Sequence, residues 1–128
     1  MNNIPNTLYH VTSVIAAMEI IEDGYLDPKC SQGKSNAVWL CTKSKVSYAI
    51  AHCCHRHGWN VPEVCVVTVK KGRHKIVRSN HASIFVTRWR IDITEVQSAE
   101  TWLSREEKYV HIKLNGGSRR IQYNEPDE

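Results

Sequence analysis

Two stretches decide the fold: Leu8-Tyr9-His10-Val11-Thr12-Ser13 and Ala37-Val38-Trp39-Leu40-Cys41-Thr42. Each is a short apolar run of strand length that ends in hydroxyl residues able to start a helix. Each also carries one residue that a hydrophobic core does not demand, His10 in the first and Trp39 in the second. A histidine and a large aromatic brought together on neighbouring strands can hold a flat, polar, stackable ligand such as nicotinamide. The aromatic face supports a planar ring, and hydrogen bonds fix its orientation in a concave site. The competing reading is a half-buried histidine with a satisfied hydrogen bond beside a core tryptophan. From spacing alone the two readings weigh equally.

Outward from these strands, the pattern alternates and then changes. Thr12 or Ser13 can cap a helix in which Val14, Ile15, Met18, Ile20 and Ile21 recur at helical spacing. Gly24 sits where a left-handed terminating residue is needed. Tyr25-Leu26 returns to the core, and a polar loop follows over 27–36. After the second strand, Thr42 or Ser44 is expected to cap a helix with Val46, Ala49, Ile50, Cys53 and Cys54 on one face, ended by Gly58. His55, Arg56 and His57 fall in its last turn, where the negative dipole end favours cations. Residues 64–69 are rich in β-branched side chains and read as a central strand. Further strands are expected over 75–77, 83–87 and 90–96, the last alternating through Ile91, Ile93 and Glu95. Ser98 caps a short helix to about residue 105. Strands 109–114 and 119–123 flank Asn115-Gly116-Gly117-Ser118, a hairpin signal, and the tail 124–128 is polar. Strand, helix, strand, helix and then mostly strands predict an α+β fold with a largely antiparallel sheet.

The 128 residues predict one domain over 1–128. Apolar content of 41% and charged content of 23% are ordinary for a globular chain. The net charge of +4 permits a phosphate-bearing partner without demonstrating one. Lys and Arg are spread along the chain, which reads as a solvated mixed surface rather than a dedicated nucleic-acid patch. No run of about 18 apolar residues is present to span a membrane. The first residues lack the basic and apolar segments of a secretion signal. Five cysteines, an odd number without a repeat spacing, do not suggest a disulfide framework, so a reducing cytoplasmic compartment is expected.

The densest ligand-like cluster is His52-Cys53-Cys54-His55-Arg56-His57. Zinc needs four converging donors, and no second pair of ligands completes a set here. Cys53 and Cys54 fall on the apolar helix face, where free cysteine behaves as a small hydrophobe, so no metal is expected. No cysteine sits in an electropositive helix-start context that activates a thiolate. A phosphate-binding glycine loop is absent.

The segment Leu8-Tyr9-His10-Val11-Thr12-Ser13 resembles the first-strand motif of the ADP-ribosyltransferase superfamily, apolar-aromatic-His-Gly-Ser/Thr, as in its diphtheria-toxin and poly(ADP-ribose) polymerase branch. Gly24-Tyr25-Leu26-Asp27-Pro28 fits that family's next element. Gly33-Lys34-Ser35-Asn36-Ala37-Val38-Trp39-Leu40 is similar to its second motif, a glycine-containing loop leading to an aromatic on a strand. The likeness covers residues 7–97, and RNA 2′-phosphotransferases and DNA-modifying toxins of the same superfamily are comparably similar.

The resemblance implies a split antiparallel sheet with flanking helices, NAD as ligand, and ADP-ribose transfer to a macromolecular (nucleic acid or protein) or nucleotide acceptor. It implies that His10 hydrogen-bonds the adenosine-side ribose, that Trp39 stacks on nicotinamide, and that Ser47 bonds the nicotinamide amide. Thr12 and Ser13 would lie near the dinucleotide, and Tyr48 near a second stacking position held by Ile50. Three departures matter. Val11 stands where the family has a glycine whose backbone approaches nicotinamide. Asn80-His81-Ala82-Ser83-Ile84-Phe85 offers no carboxylate where the family places its glutamate, leaving Glu95, or Glu100 beyond it, as a substitute from a different register. Arg88, Arg90 and His81 offer phosphate ligands instead, in the manner of the 2′-phosphotransferases. A binding module that keeps His10 and Trp39 without catalysis is a further alternative.

Overall fold

A computed structural model describes residues 4–28, 37–81, 83–106, 109–114 and 117–122. Cys30, most of the expected 27–36 loop, Ala82, Asn115-Gly116 of the expected hairpin and the tail lie outside them. The described chain is α+β. In order, its elements are β1 (Thr7–Ser13), α1 (Val14–Asp23), β2 (Tyr25–Leu26), β3 (Val38–Cys41), α2 (Val46–His57), β4 (Val64–Lys70), β5 (Val77–Arg78), β6 (Ile84–Thr87), β7 (Ile91–Ser98), α3 (Ala99–Glu106), β8 (Tyr109–Leu114) and β9 (Gly117–Gln122). Seven strands form one antiparallel sheet in the order β2-β7-β4-β1-β3-β6-β5. β8 and β9 pair separately with Leu114 opposite Gly117, so β9 starts two residues earlier than the glycine signal suggested.

The centre of the sheet is β4, whose residues Val64 to Val69 are all buried. One face carries Val64 and Val66 beneath α2 and α3, packed with Ile50, Cys54, Trp102 and Leu103. The other face carries Val67 and Val69 with Leu8, Leu40, Phe85 and Ile91, and Ile20 of α1 packs against it. A strand covered on both faces reads as a continuous apolar run, not an alternation.

The β1–β3 junction differs from every other pairing. β1 pairs with β4 along its whole length, from Thr7 opposite Lys70 to Ser13 opposite Val64. Against β3 it makes a single residue pair, Tyr9 with Cys41. Beyond that point no residue of β1 from His10 to Ser13 pairs with β3.

Ser13 ends β1 and caps α1, its Oγ accepting the Ala16 N–H at 3.1 Å. Gly24, at φ 86°, ends the helix and returns its N–H to the Ile20 carbonyl. Between these fixed ends the helix presents Ala17 inward, with Val14 and Ile20 half-buried. Ile15, Met18 and Ile21, expected on the core face, are exposed instead, Ile15 by 76%. The sequence holds two apolar stripes one residue apart, and periodicity cannot choose between them. Ser13→Ala removes the cap and is expected to lower stability by about 1 kcal/mol, read from the urea midpoint at unchanged slope.

Neither Thr42 nor Ser44 caps α2. A single 3-10 turn, Lys43–Lys45, intervenes, and the two hydroxyls bond each other at 3.1 Å. Gly58 ends α2 at φ 70°, and Ser98 caps α3 through the Thr101 N–H. β6 begins at Ile84, not Ser83, because Ser83 adopts φ 66°. A left-handed serine cannot extend a strand. Its carbonyl accepts the Thr42 N–H, which ties this turn to the end of β3. β5 holds Val77–Arg78 only, and Ile76 before it is buried.

β7 contains a bulge. Val69 faces Ile93, but Thr68 faces Glu95, so Thr94 is the extra residue, and its hydroxyl donates to the Thr68 carbonyl at 3.1 Å. A bulge shifts the alternation by one position. Ile91 and Ile93 therefore pack on the face of Leu8, while Glu95 falls on the opposite face, level with Thr68 and Tyr9.

Candidate functional site

At the junction, where β1 leaves β3, the His10 ring takes up the link. Its Nδ1 lies 2.8 Å from the Trp39 carbonyl oxygen. A carbonyl can only accept, so Nδ1 carries the proton and donates. In the neutral ring Nε2 is then an acceptor. Removal from water pushes the His10 pKa below its ordinary value, and the bond to the Trp39 carbonyl offsets this only in part. The ring is thus held neutral and in one tautomer, with its acceptor nitrogen defined.

A groove of about 1420 Å³ opens here, lined by His10, Val11, Thr12 and Ser13 from β1, Trp39 from β3 and Tyr48 from α2. The Trp39 side chain is 49% exposed and that of Tyr48 69%, so neither serves the core. Lys45 places its ammonium 4.9 Å from the Tyr48 ring centre. Farther along α2 the groove meets His52, Arg56 and His57, the last stacked on Trp59 at 4.2 Å. Glu19 and Asp23 of α1 line it as well. Lys45, Tyr48, His52 and Arg56 form a helical i, i+3, i+4 stripe that is legible in the sequence, although only Tyr48 among them was expected at a ligand site.

The remaining candidates lie elsewhere. Ser47 is half-buried at the start of α2 and does not line the groove. Arg88 is exposed beyond β6, outside the groove, and Arg90 lies 3.6 Å from Asp27 and over the Tyr25 ring. His81 does reach the groove wall. Glu95 is on the α3 face of the sheet, 3.7 Å from Arg105, which also donates to Gln97. His10 alternates with Tyr9 on β1 and so belongs to the other face. The structure does not bring Glu95 to His10, because the bulge at Thr94 turned it away.

None of the four described thiols is activated. Burial pushes Cys41 up to about 12 and Cys53 up to about 11, and raises Cys54 and Cys65. Such groups stay protonated at neutral pH and are poor nucleophiles. All four are free cysteines. Among the described residues, no three His, Cys, Asp or Glu side chains converge as a metal site. No described helix is long and apolar enough to cross a membrane.

Compared with known protein families, with curated proteins and with solved structures, the chain finds no match.

Proposed function

We propose that the chain is an ADP-ribosyltransferase-like domain whose groove binds NAD or another ligand that contains ADP-ribose. The observation that carries this reading is the His10–Trp39 link at the point where β1 and β3 part. A ribose hydroxyl needs a fixed acceptor, and Nε2 of a neutral, Nδ1-pinned imidazole is one. A nicotinamide ring needs a flat partner, and the exposed Trp39 indole offers it, with Tyr48 on the neighbouring helix. Thr12 and Ser13 continue the same strand along the groove. In this arrangement His10 orients the ribose and Trp39 the leaving ring.

Bound NAD supplies a ribose–nicotinamide bond whose cleavage delivers ADP-ribose to an acceptor. A transferase must stabilise the positive charge that develops on the ribose, which calls for a nearby carboxylate. The described part of the turn and strand beside Trp39, His81 and Ser83 through Thr87, carries none. Glu95 is committed to Arg105 across the sheet, and Glu63 accepts the Asn60 N–H at 2.7 Å. Glu19 and Asp23 line the groove from α1 and not from the strand beside Trp39. With no carboxylate on that strand, capture of the ligand is favoured over its turnover, and turnover would have to draw on groove carboxylates such as Glu19 and Asp23. With NAD labelled in the nicotinamide ring and RNA, DNA or protein added as acceptor, we expect saturable binding without release of label. Release of nicotinamide that survives Glu95→Gln would establish a transferase with a carboxylate elsewhere in the groove. No saturable binding at all would overturn the reading.

Binding is expected to depend on pH through His10. The folded-state pKa lies below the ordinary 6.5, so the ring is predominantly neutral above 6.5 and its acceptor nitrogen is open to a ligand there. Affinity should be highest at about pH 7 and above and fall as pH drops below 6.5 through the lowered value, approaching about tenfold per unit beyond it. His10→Ala should remove that limb. Calorimetry across this range reads both.

A further inference from the structure

Residues 64–91 hold seven Lys or Arg side chains and no Asp or Glu, in a chain of net charge +4. Along the sequence these cations are separated by strands, and the fold gathers them at one end of the sheet. Pairing of β5 with β6 sets Arg78 opposite Phe85, with its guanidinium 5.2 Å from the ring centre. The Thr87 hydroxyl donates to the Lys75 carbonyl at 2.6 Å, which ties the β4–β5 loop to the end of β6. Lys75 then lies 5.2 Å from the Trp89 ring centre, with Arg88 and Arg90 on either side of that tryptophan in the chain. Arg73, Lys75, Arg78, Arg88 and Arg90 are all exposed, and Trp89 is 55% exposed. Asp27 and Asp92 border the cluster, against Arg90 and His74.

The geometry points to this β5–β6 end as a docking face for a single strand of nucleic acid. Four of the five cations are arginines, whose planar forks match phosphate oxygens two at a time. A large exposed indole among cations is the stacking platform that sequence-tolerant single-strand binding uses. An acidic protein would satisfy the charge but gives no role to the exposed Trp89. The inference does not depend on what the groove binds.

Fluorescence anisotropy of the full chain tests it, with labelled single-stranded RNA and DNA of about 12 nucleotides and a polyglutamate peptide of similar length. The affinity for at least one nucleic acid should fall steeply between about 50 and 200 mM salt, with a log–log slope of about −2 or steeper for three or more phosphates. Combined Arg73→Ser, Lys75→Ser and Arg78→Ser should weaken binding at least about tenfold and reduce the slope by about two. Trp89→Ala should weaken it by about tenfold with little change in slope. RNA tighter than DNA, or the reverse, identifies the kind of strand. Binding of polyglutamate as tight as either nucleic acid would overturn the proposal in favour of an acidic protein. So would salt-insensitive binding, no binding of either strand, or correctly folded variants of both kinds that bind as the wild type does.

Discussion

His10→Ala should weaken NAD binding by at least about tenfold, the loss expected when a buried, oriented hydrogen bond to a ligand is removed. Two things disappear together: the Nε2 acceptor and the tie from Nδ1 to the Trp39 carbonyl across the β1–β3 junction. Without the tie the two strands retain only the Tyr9–Cys41 pair between them, so the position of the Trp39 indole also loosens. The fold itself should survive. A single hydrogen bond to a backbone carbonyl contributes about 1 kcal/mol to stability, and β1 keeps its full ladder with β4. Titration calorimetry against a thermal melt of the same variant separates the two effects. A large loss of affinity with a small shift in melting temperature is the expected combination.

Phe85→Ala should lower stability by about 3–5 kcal/mol, a large share of what a domain of this size possesses. Phe85 is fully buried in β6, faces Leu40 across the pair with β3, and fills the cluster that contains Leu8, Val38, Val67 and Ile91. It belongs to the half of the sheet joined through the short β1–β3 junction, and its truncation leaves a cavity within that close-packed cluster. Urea unfolding followed by circular dichroism reads the loss. Ile15→Ala provides the contrast: its side chain is largely solvated and the change should fall within about 0.5 kcal/mol.

That contrast also marks where sequence reading stops. The strand and helix order, the Ser13 and Ser98 caps and the Gly24 and Gly58 stops follow from local chemistry, and each is seen in the structure. The inward face of α1 does not follow, because two apolar stripes compete and only packing over Ala17 decides between them. Glu95 shows a different failure. Its expected alternation with Ile91 and Ile93 fails, because one extra residue at Thr94, invisible to a period of two, turned it to the other face. That β1 and β3 are neighbours was expected from two strands of similar character. The link from His10 to Trp39, a ring nitrogen bonded to a carbonyl where the strands separate, depends on long-range register that no local pattern encodes. The basic end of the sheet was missed for a related reason: charges that look evenly scattered converge once β5 folds back on β6.

The most direct test of the central claim is a calorimetric titration of NAD into the wild-type chain, into His10→Ala and into Trp39→Ala at pH 7.5. Saturable one-site binding by the wild type, weakened at least about tenfold in each variant, is the predicted result. Absence of binding to the wild type at millimolar NAD, or equal binding by all three proteins, would contradict it.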